Sequence, residues 1–476
     1  MKKRLWRIST FPILSLAIAL AAVAQQPLQP SADRLRTHIT YLASDALEGR
    51  HAGTPGADRA ATYIAKEFSR LKLQPGMKKA NSTKVKGDDY LQHFPYTPRR
   101  PRTANVHGEA APSTEQPMTA TLTTSNVIGV LEGSDPTLKN EAIVIGAHYD
   151  HLGRDTRFSL SQREGGIHYG ADDNASGVAG ILELARFLTS QKTKPRRSIV
   201  FIAFGGEEEG LLGSNYYVNH PVVPIANTVA MINLDMVGRL KNKNLIIGGV
   251  GTAPEWKSMI ESANLWQGLT VTAAGNSNQS GMPVVVGANG QTVVSNDPSK
   301  SFHLTLNQDG FGPSDHSSFY GKQVPVLFFW TGTHEDYHKP SDTADKINYD
   351  GEVMILGMVA KIVREIDAND KRPTYAVTKA EGAGRATGFR VYLGTIPNYA
   401  DSGNGLLLDG VRDESPAAKA GLKAGDRIVK LAGRDVRDVY DYTAALGEMT
   451  AGQEYEVEIV RGTERLKLKL TPAARR

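Results

Sequence analysis

The chain has 476 residues, 40% of them hydrophobic and 22% charged, and contains no cysteine. The length admits roughly two to four domains, and the missing cysteine excludes disulfides, a thiol nucleophile and a lipoprotein anchor. Net charge is +5, but Lys2, Lys3, Arg4 and Arg7 carry four of those charges and no acid precedes residue 25, leaving +1, so charge points to no nucleic acid or anionic membrane.

Residues 1–24 read as a signal peptide. A basic start is followed by the apolar run Phe11 to Ala24, which is shorter than the ~20 residues a membrane span needs. Ala22-Val23-Ala24 fits the small-residue cleavage rule, with the cut before Gln25. Export to a bacterial periplasm or the extracellular space is expected, with no membrane span after cleavage. Residues 31–73 read as helical, with a turn-rich loop from Ser44 to Gly56 and a stop at Gln74-Pro75-Gly76. Residues 75–120 are polar and rich in Pro and Lys.

From Asn126 to about Ile366, apolar strand-like runs alternate with helical patterns such as Asn174 to Thr189 and Gly351 to Asp367. The expected fold class is α/β: a mostly parallel central sheet covered by helices on both faces. Four runs end in chemistry. Ala142-Ile-Val-Ile-Gly-Ala leads into His148-Tyr149-Asp150-His151. Ser198 to Phe204 leads into Gly205-Gly206-Glu207-Glu208-Glu209. Thr228 to Leu234 leads into Asp235, and Val324 to Trp330 leads to the loop carrying His338. In open α/β sheets, ligands bind outside the carboxyl ends of the strands. His148, Asp172, Glu208, Asp235 and His338 are therefore expected to converge and hold two metal ions. Zinc accepts imidazole nitrogen and carboxylate oxygen, and a pair of zinc ions needs a bridging carboxylate. Asp172 lies in the tight turn Gly170 to Gly177, where Asp173 or Asn174 can cap the following helix. Asp150 can accept the second ring N–H of His148 and orient it. Glu207, beside Glu208, suits a general base. The stretch from Gly268 to Lys300, rich in Gly, Asn and Ser, reads as surface elaboration near the site mouth.

His148-Tyr-Asp-His, Gly170-Ala-Asp-Asp-Asn-Ala-Ser-Gly, Glu207-Glu-Glu-Gly-Leu-Leu-Gly-Ser, Asn233-Leu-Asp-Met, Ser314-Asp-His-Ser-Ser-Phe and Tyr337-His-Lys-Pro-Ser-Asp-Thr stand in this order. The ordered set resembles the co-catalytic zinc aminopeptidases, a family that also includes glutamate carboxypeptidases and glutaminyl cyclases. Tyr41-Leu-Ala-Ser-Asp-Ala-Leu-Glu-Gly-Arg looks like the family's amino-terminal segment, so the likeness runs from about Tyr41 to Ile366. The resemblance implies two zinc ions per chain: one held by His148, Asp172 and Asp235, the second by Asp172, Glu208 and His338. It also implies Glu207 as general base, Asp150 as orienter of His148, and a non-proline cis peptide at Asp172-Asp173. Two departures stand out. Asp309-Gly-Phe-Gly-Pro lacks the Tyr that some members use for the oxyanion, and residues 75–125 leave no room for a protease-associated insert.

Residues 368–382 read as a linker, because they are charged and small. Residues 383–476 resemble a PDZ domain of the bacterial protease type, on the strength of Gly421-Leu-Lys-Ala-Gly-Asp-Arg-Ile. By that likeness, Tyr392-Leu393-Gly394 would present backbone N–H groups to a peptide or protein C-terminus. The combined expectation is an exported zinc aminopeptidase (residues 25–367 forming the peptidase domain) that hydrolyses the N-terminal peptide bond with metal-activated water. Two alternatives accompany it: a carboxypeptidase or cyclase on the same scaffold, and a catalytically silent peptide-binding scaffold. The presence of both His148 and Asp235 weighs against a cyclase. No ligand or base position is lost, which weighs against the silent scaffold.

Overall fold

The computed structural model describes residues 30–77, 86–97, 121–154, 159, 161, 166–267, 269–273, 284–287, 290–296, 301–378, 391–397, 404–411, 415–437 and 439–474. The expected signal peptide lies outside them. Among the described residues no helix is long and apolar enough to cross a membrane.

The strands of the first unit are β1 (Gln74–Pro75), β2 (Leu91–Tyr96), β3 (Leu122–Leu131), β4 (Ala142–His148), β5 (Ser198–Phe204), β6 (Thr228–Leu234), β7 (Asn244–Gly248), β8 (Leu269–Ala273), β9 (Val284–Gly287), β10 (Gly290–Asn296), β11 (His303–Leu306) and β12 (Val326–Trp330). Nine of them form one sheet in the order β1-β3-β5-β4-β6-β12-β7-β11, with β2 pairing β3. Its centre, β5-β4-β6-β12, is parallel, and antiparallel strands flank it. The four apolar runs singled out in the sequence are these four central strands, so their carboxyl ends lie side by side.

Helices cover both faces, as expected. They are α1 (Ala32–Leu42), α2 (Pro55–Arg70), α3 (Gly177–Thr189), α4 (Leu212–Asn219), α5 (Trp256–Gln267), α6 (His316–Tyr320) and α7 (Tyr349–Ala368). Side chains alternate across a strand, and here both sets are buried. Ile143, Ile145, Ile199 and Phe201 pack with residues of α1, α2, α3, α5 and α7. Val144, Val200, Ile202 and Phe204 pack with residues of α4 and α6 on the other face. That double burial explains the unbroken apolar runs.

Within the stretch read as surface elaboration, β8, β10 and β9 form a separate three-stranded antiparallel sheet. One reading of the sequence changes here. Residues 369–378, expected as the start of a free linker, are tied to the first unit. Buried Arg197 donates to the carbonyls of Asn369 and Asp370 (2.7 and 3.3 Å). Arg372 pairs with Glu141 at 2.8 Å, and the amides of Ala376 and Thr378 reach Thr252 O and Tyr320 OH, each at 2.8 Å. Tyr375 packs 5.6 Å from the Tyr320 ring. Composition missed this strap because the main chain makes most of its bonds.

The carboxyl-terminal unit has its own apolar core, including Leu406, Leu431, Ala445, Val457 and Ile459. Its sheet joins Thr395–Pro397, Leu406–Val411, Arg427–Leu431, Tyr455–Arg461 and Glu464–Leu470 in that order, save that the short strand Arg434–Asp435 also pairs with Arg427–Leu431. Gly394 has φ +79, and a Cβ there would meet Ser415 Cβ at 2.2 Å.

A chain ending at Thr378 is expected to keep the first unit's stability. A chain ending at Asp367 loses the strap's bonds and is expected to be weaker by at least about 2 kcal/mol, from several hydrogen bonds at about 1 kcal/mol each. Denaturant unfolding of the two truncations checks this; equal midpoints and slopes would mean the strap contributes nothing.

Candidate metal centre

Each central strand delivers its polar group by a short, locally determined turn. β4 ends on His148. After β5, Gly206 adopts φ +79 and the chain turns sharply to present Glu207 and Glu208. β6 ends at Leu234, so Asp235 follows at once. The loop after β12 brings back Tyr337 and His338. Between β4 and α3, Gly170 has φ +55 and opens an irregular turn, Ala171 to Ser176. Asn174 Oδ1 accepts the Gly177 amide at 2.8 Å, and α3 begins at Gly177, with Ser176 and not Asp173 or Asn174 at its N-cap.

The expected bridging carboxylate, Asp172, is not in the cluster. Asp173 occupies that place, with Oδ1 3.3 Å from His148 Nε2 and Oδ2 3.2 Å from His338 Nε2. Asp172 points the other way: it accepts the Gly238 amide at 2.6 Å and lies 3.1 Å from both Ser176 Oγ and His334 Nε2. The non-proline cis peptide is likewise one residue on, at Asp173-Asn174. Neighbouring side chains in an irregular turn diverge, and sequence spacing does not say which one faces the crevice. Asp342 accepts the amides of both Asp172 and Asp173 (2.8 and 3.1 Å) and so holds the pair in place.

Around Asp173 two donor sets form. His148 Nε2 lies 3.4 Å from Asp235 Oδ1, and His338 Nε2 lies 3.4 Å from Glu208 Oε2. A tetrahedral ion with bonds of about 2.0–2.1 Å places its ligand atoms about 3.3 Å apart. The separations at 3.2–3.4 Å match that edge, and are long for charged hydrogen bonds. Asp235 Oδ1 is buried and has no hydrogen-bond partner among the described residues, another mark of a donor set suited to a cation. His148, Asp173 and Asp235 on one side, and Asp173, Glu208 and His338 on the other, therefore fit zinc.

Glu207 and His151 also come within 4.8 Å of these donors in two compact trios, His148–Glu207–Asp235 and His151–Asp173–Glu208. Glu207 Oε2 stands off at 4.0 Å from His148 Nε2, farther than the ligand edge. His151 Nδ1 sits 2.7 Å from Glu208 Oε1, a hydrogen bond that orients Glu208 while its Oε2 faces His338. The sequence offered His151 in His148-Tyr-Asp-His, three residues after a chosen ligand, and it was passed over.

Asp150 does something other than expected. Its main-chain oxygen, not its carboxylate, accepts from His148 Nδ1 at 3.1 Å, which leaves Nε2 to face the cluster. Its carboxylate is 4.0 Å away and instead accepts the amides of Glu207 and Glu208 (3.0 and 3.4 Å), fixing the turn that aims both side chains.

Burial and crowding of like charge set the protonation of the cluster. Burial, reinforced by Glu208, Asp315 and Asp235, holds the Glu207 carboxyl well above its usual range despite His148. Burial opposes ionisation of Glu208, but His338 and His151 bring it down to about 2. Burial likewise opposes the charged form of His338, yet Glu208 and Asp173 raise it to about 10. Burial also opposes the charged form of His148, yet Asp235 and Glu207 raise it well above its usual range, so His148 and His338 carry positive charge where cations fit. Tyr337 stacks on His338 with ring centres 3.9 Å apart, and burial with Asp173, Glu208, Glu207 and Asp235 keeps its phenol protonated. Its hydroxyl has no hydrogen-bond partner among the described residues. It was another group the sequence reading passed over.

Two stretches of the chain match known protein families. Residues 126–363, half of the chain, match Peptidase family M28, and residues 391–471 match the PDZ domain. The chain belongs to peptidase family M28 and carries a PDZ domain. Among similar proteins, "Aminopeptidase YwaD" of Bacillus subtilis is 29% identical over 53% of this chain and 46% of its own length. "Uncharacterized protein YfbL" of Escherichia coli is 28% identical over 46% of this chain and 66% of its own. A "Probable zinc metalloprotease" of Pyrenophora teres is 42% identical over 25% of this chain and 23% of its own. The chain thus spans less than two thirds of the length of these relatives. The crystal structure of BSAP, a zinc aminopeptidase from Bacillus subtilis, is 20% identical, covering 74% of this chain and all of that one, with a TM-score of 0.49.

Asp173→Asn is expected to lower bound zinc below one ion per chain after loading, since both donor sets share its carboxylate. Asp172→Asn should leave the stoichiometry of the unaltered protein. Elemental analysis of both variants checks the one-residue assignment; the reverse pattern would restore Asp172 as the bridge.

Proposed function

We propose that the protein is an exported zinc aminopeptidase, with two zinc ions sharing Asp173 and Glu207 serving as general base. The observation that carries this reading is the pair of donor sets, with edges of 3.2–3.4 Å, on the two oxygens of one buried carboxylate. Its family is one of peptidases. Export rests on the basic, apolar and small-residue order of residues 1–24.

Zinc bound there supplies Lewis acidity toward a peptide carbonyl and lowers the pKa of water. Glu207 stands beside the donor sets without belonging to either. Its raised proton affinity lets it take a proton from the attacking water and return it to the leaving amine. Asp150 fixes the main chain beneath Glu207 and so fixes the direction of that transfer. Tyr337, a protonated phenol with a free O–H, donates a hydrogen bond to the developing oxyanion, the role left vacant by the stretch Asp309 to Pro313. The PDZ domain binds a C-terminal or internal segment of longer substrates and raises their effective concentration.

Glu207→Gln should keep bound zinc and lose about a hundredfold or more in kcat, in line with removal of a general base. Tyr337→Phe should lower kcat by about tenfold to a hundredfold with KM little changed. Both are read on an amino-acyl chromogenic substrate, and an N-acetylated analogue should not be cleaved. Loss of zinc in Glu207→Gln would make Glu207 a ligand instead, and cleavage of the blocked substrate at an equal rate would end the aminopeptidase reading.

The chain ending at Thr378 should hydrolyse a dipeptide analogue as the full chain does and lose efficiency on a decapeptide. Equal losses on both, measured as kcat/KM, would make the PDZ domain a buttress rather than a substrate handle.

A further inference from the structure

Arg50 ends the segment Ser44 to Arg50, to which the reaction as proposed assigns no role. Its side chain is wholly buried. Three consecutive residues, Glu48, Gly49 and Arg50, adopt left-handed φ of 48°, 73° and 52° to deliver it. A buried guanidinium ordinarily meets a carboxylate. Among the described residues Arg50 makes no ion pair. Its Nε donates to Tyr149 O at 2.8 Å, Nη1 to Tyr169 O at 2.8 Å and to Leu42 O, and Nη2 to Gly170 O at 3.0 Å.

Leu42 closes α1, but the other three acceptors are not scattered. Tyr149 follows His148 directly. Tyr169 and Gly170 open the turn that carries Asp173. The main chain of the same segment adds two further ties, His151 N to Arg50 O at 3.3 Å and Gly153 N to Gly49 O at 3.1 Å. One planar fork thus spans the two loops that meet at His148 Nε2 and Asp173 Oδ1. Burial pushes the guanidinium down to about 10, while Asp150, Asp173, Asp342 and Glu208 pull against that shift, so the group stays charged at neutral pH. Carbonyls take four of its five N–H donors and leave the nearby carboxylates to other partners.

We propose that Arg50 is a positioning residue of the metal centre: through main-chain carbonyls, its guanidinium fork sets the loop bearing His148 against the turn bearing Asp173. The inference rests on the metal reading of the site and not on which peptide bond is cut. A lysine could keep the charge. Its ammonium is a point donor and cannot reach carbonyls distributed around a planar fork.

The test uses the full chain stripped of metal, as the unaltered protein and as Arg50→Met and Arg50→Lys. Zinc is titrated in against a competing chelator, and near-ultraviolet circular dichroism and thermal melting of the metal-free forms report folding. Residues that hold metal ligands in place change affinity by about tenfold to a hundredfold when replaced. Both variants should fold and bind zinc at least about tenfold more weakly than the unaltered protein, with lysine giving no rescue. A folded Arg50→Met that keeps the unaltered affinity overturns the proposal, because a purely structural role would lower the melting temperature alone. Full recovery in Arg50→Lys overturns it as well, since charge and not the fork would then be what matters. Failure of both to fold would assign Arg50 to the fold rather than the centre. An unaltered protein that takes up no zinc sinks the metal reading and this one together. Zinc uptake without amino-terminal hydrolysis sinks only the proposed activity.

Discussion

One carboxylate with two faces organises the site. Asp173 turns Oδ1 toward His148 and Oδ2 toward His338, so two donor sets exist only because they share it. Around it Glu207, Glu208 and Asp235 are buried too. Like charges packed this closely in a low dielectric raise one another's proton affinity. The cluster compensates by protonation: Glu207 holds its proton, and His148 and His338 become imidazolium. Divalent ions would replace those protons, and so the site chemistry and the demand for metal have one electrostatic cause.

The fold meets that demand with rigid parts. Four parallel strands buried on both faces end side by side; β4, β5 and β6 hand over a ligand within a few residues, and the longer loop after β12 brings back His338. Behind them sits a layer of groups that belong to neither donor set but fix the residues that do. Asp150 holds the Glu207-Glu208 amides, Asp342 the Asp172-Asp173 amides, Ser314 hydrogen-bonds Asp235 at 2.7 Å, and Asn233 in turn hydrogen-bonds Ser314 at 2.7 Å. Such a layer matters because a ligand displaced by a fraction of an ångström loses much of its contribution.

Much of this was legible in the residues. Unbroken apolar runs such as Ile199 to Phe204 announced a sheet buried on both faces, and the polar residues at their ends announced the crevice. What the sequence could not convey was direction. Asp172 and Asp173 are chemically identical neighbours, and only the path of the turn from Gly170 to Gly177 decides which faces the crevice. Asp150 lies beside the cluster, but its main-chain oxygen and not its carboxylate meets His148. The strap at 369–378 escaped notice because backbone groups, common to every residue, hold most of it. Arg50 looked like part of a loop, since nothing in its neighbourhood predicts a fully buried guanidinium bonded to carbonyls.

The most direct test of the shared carboxylate is anomalous diffraction at the zinc edge from crystals of the zinc-loaded full chain. Two peaks flanking Asp173, one beside His148 and Asp235 and the other beside Glu208 and His338, with Glu207 bound to neither, is the predicted result. A single peak, or two ions with Asp172 between them, would contradict the account.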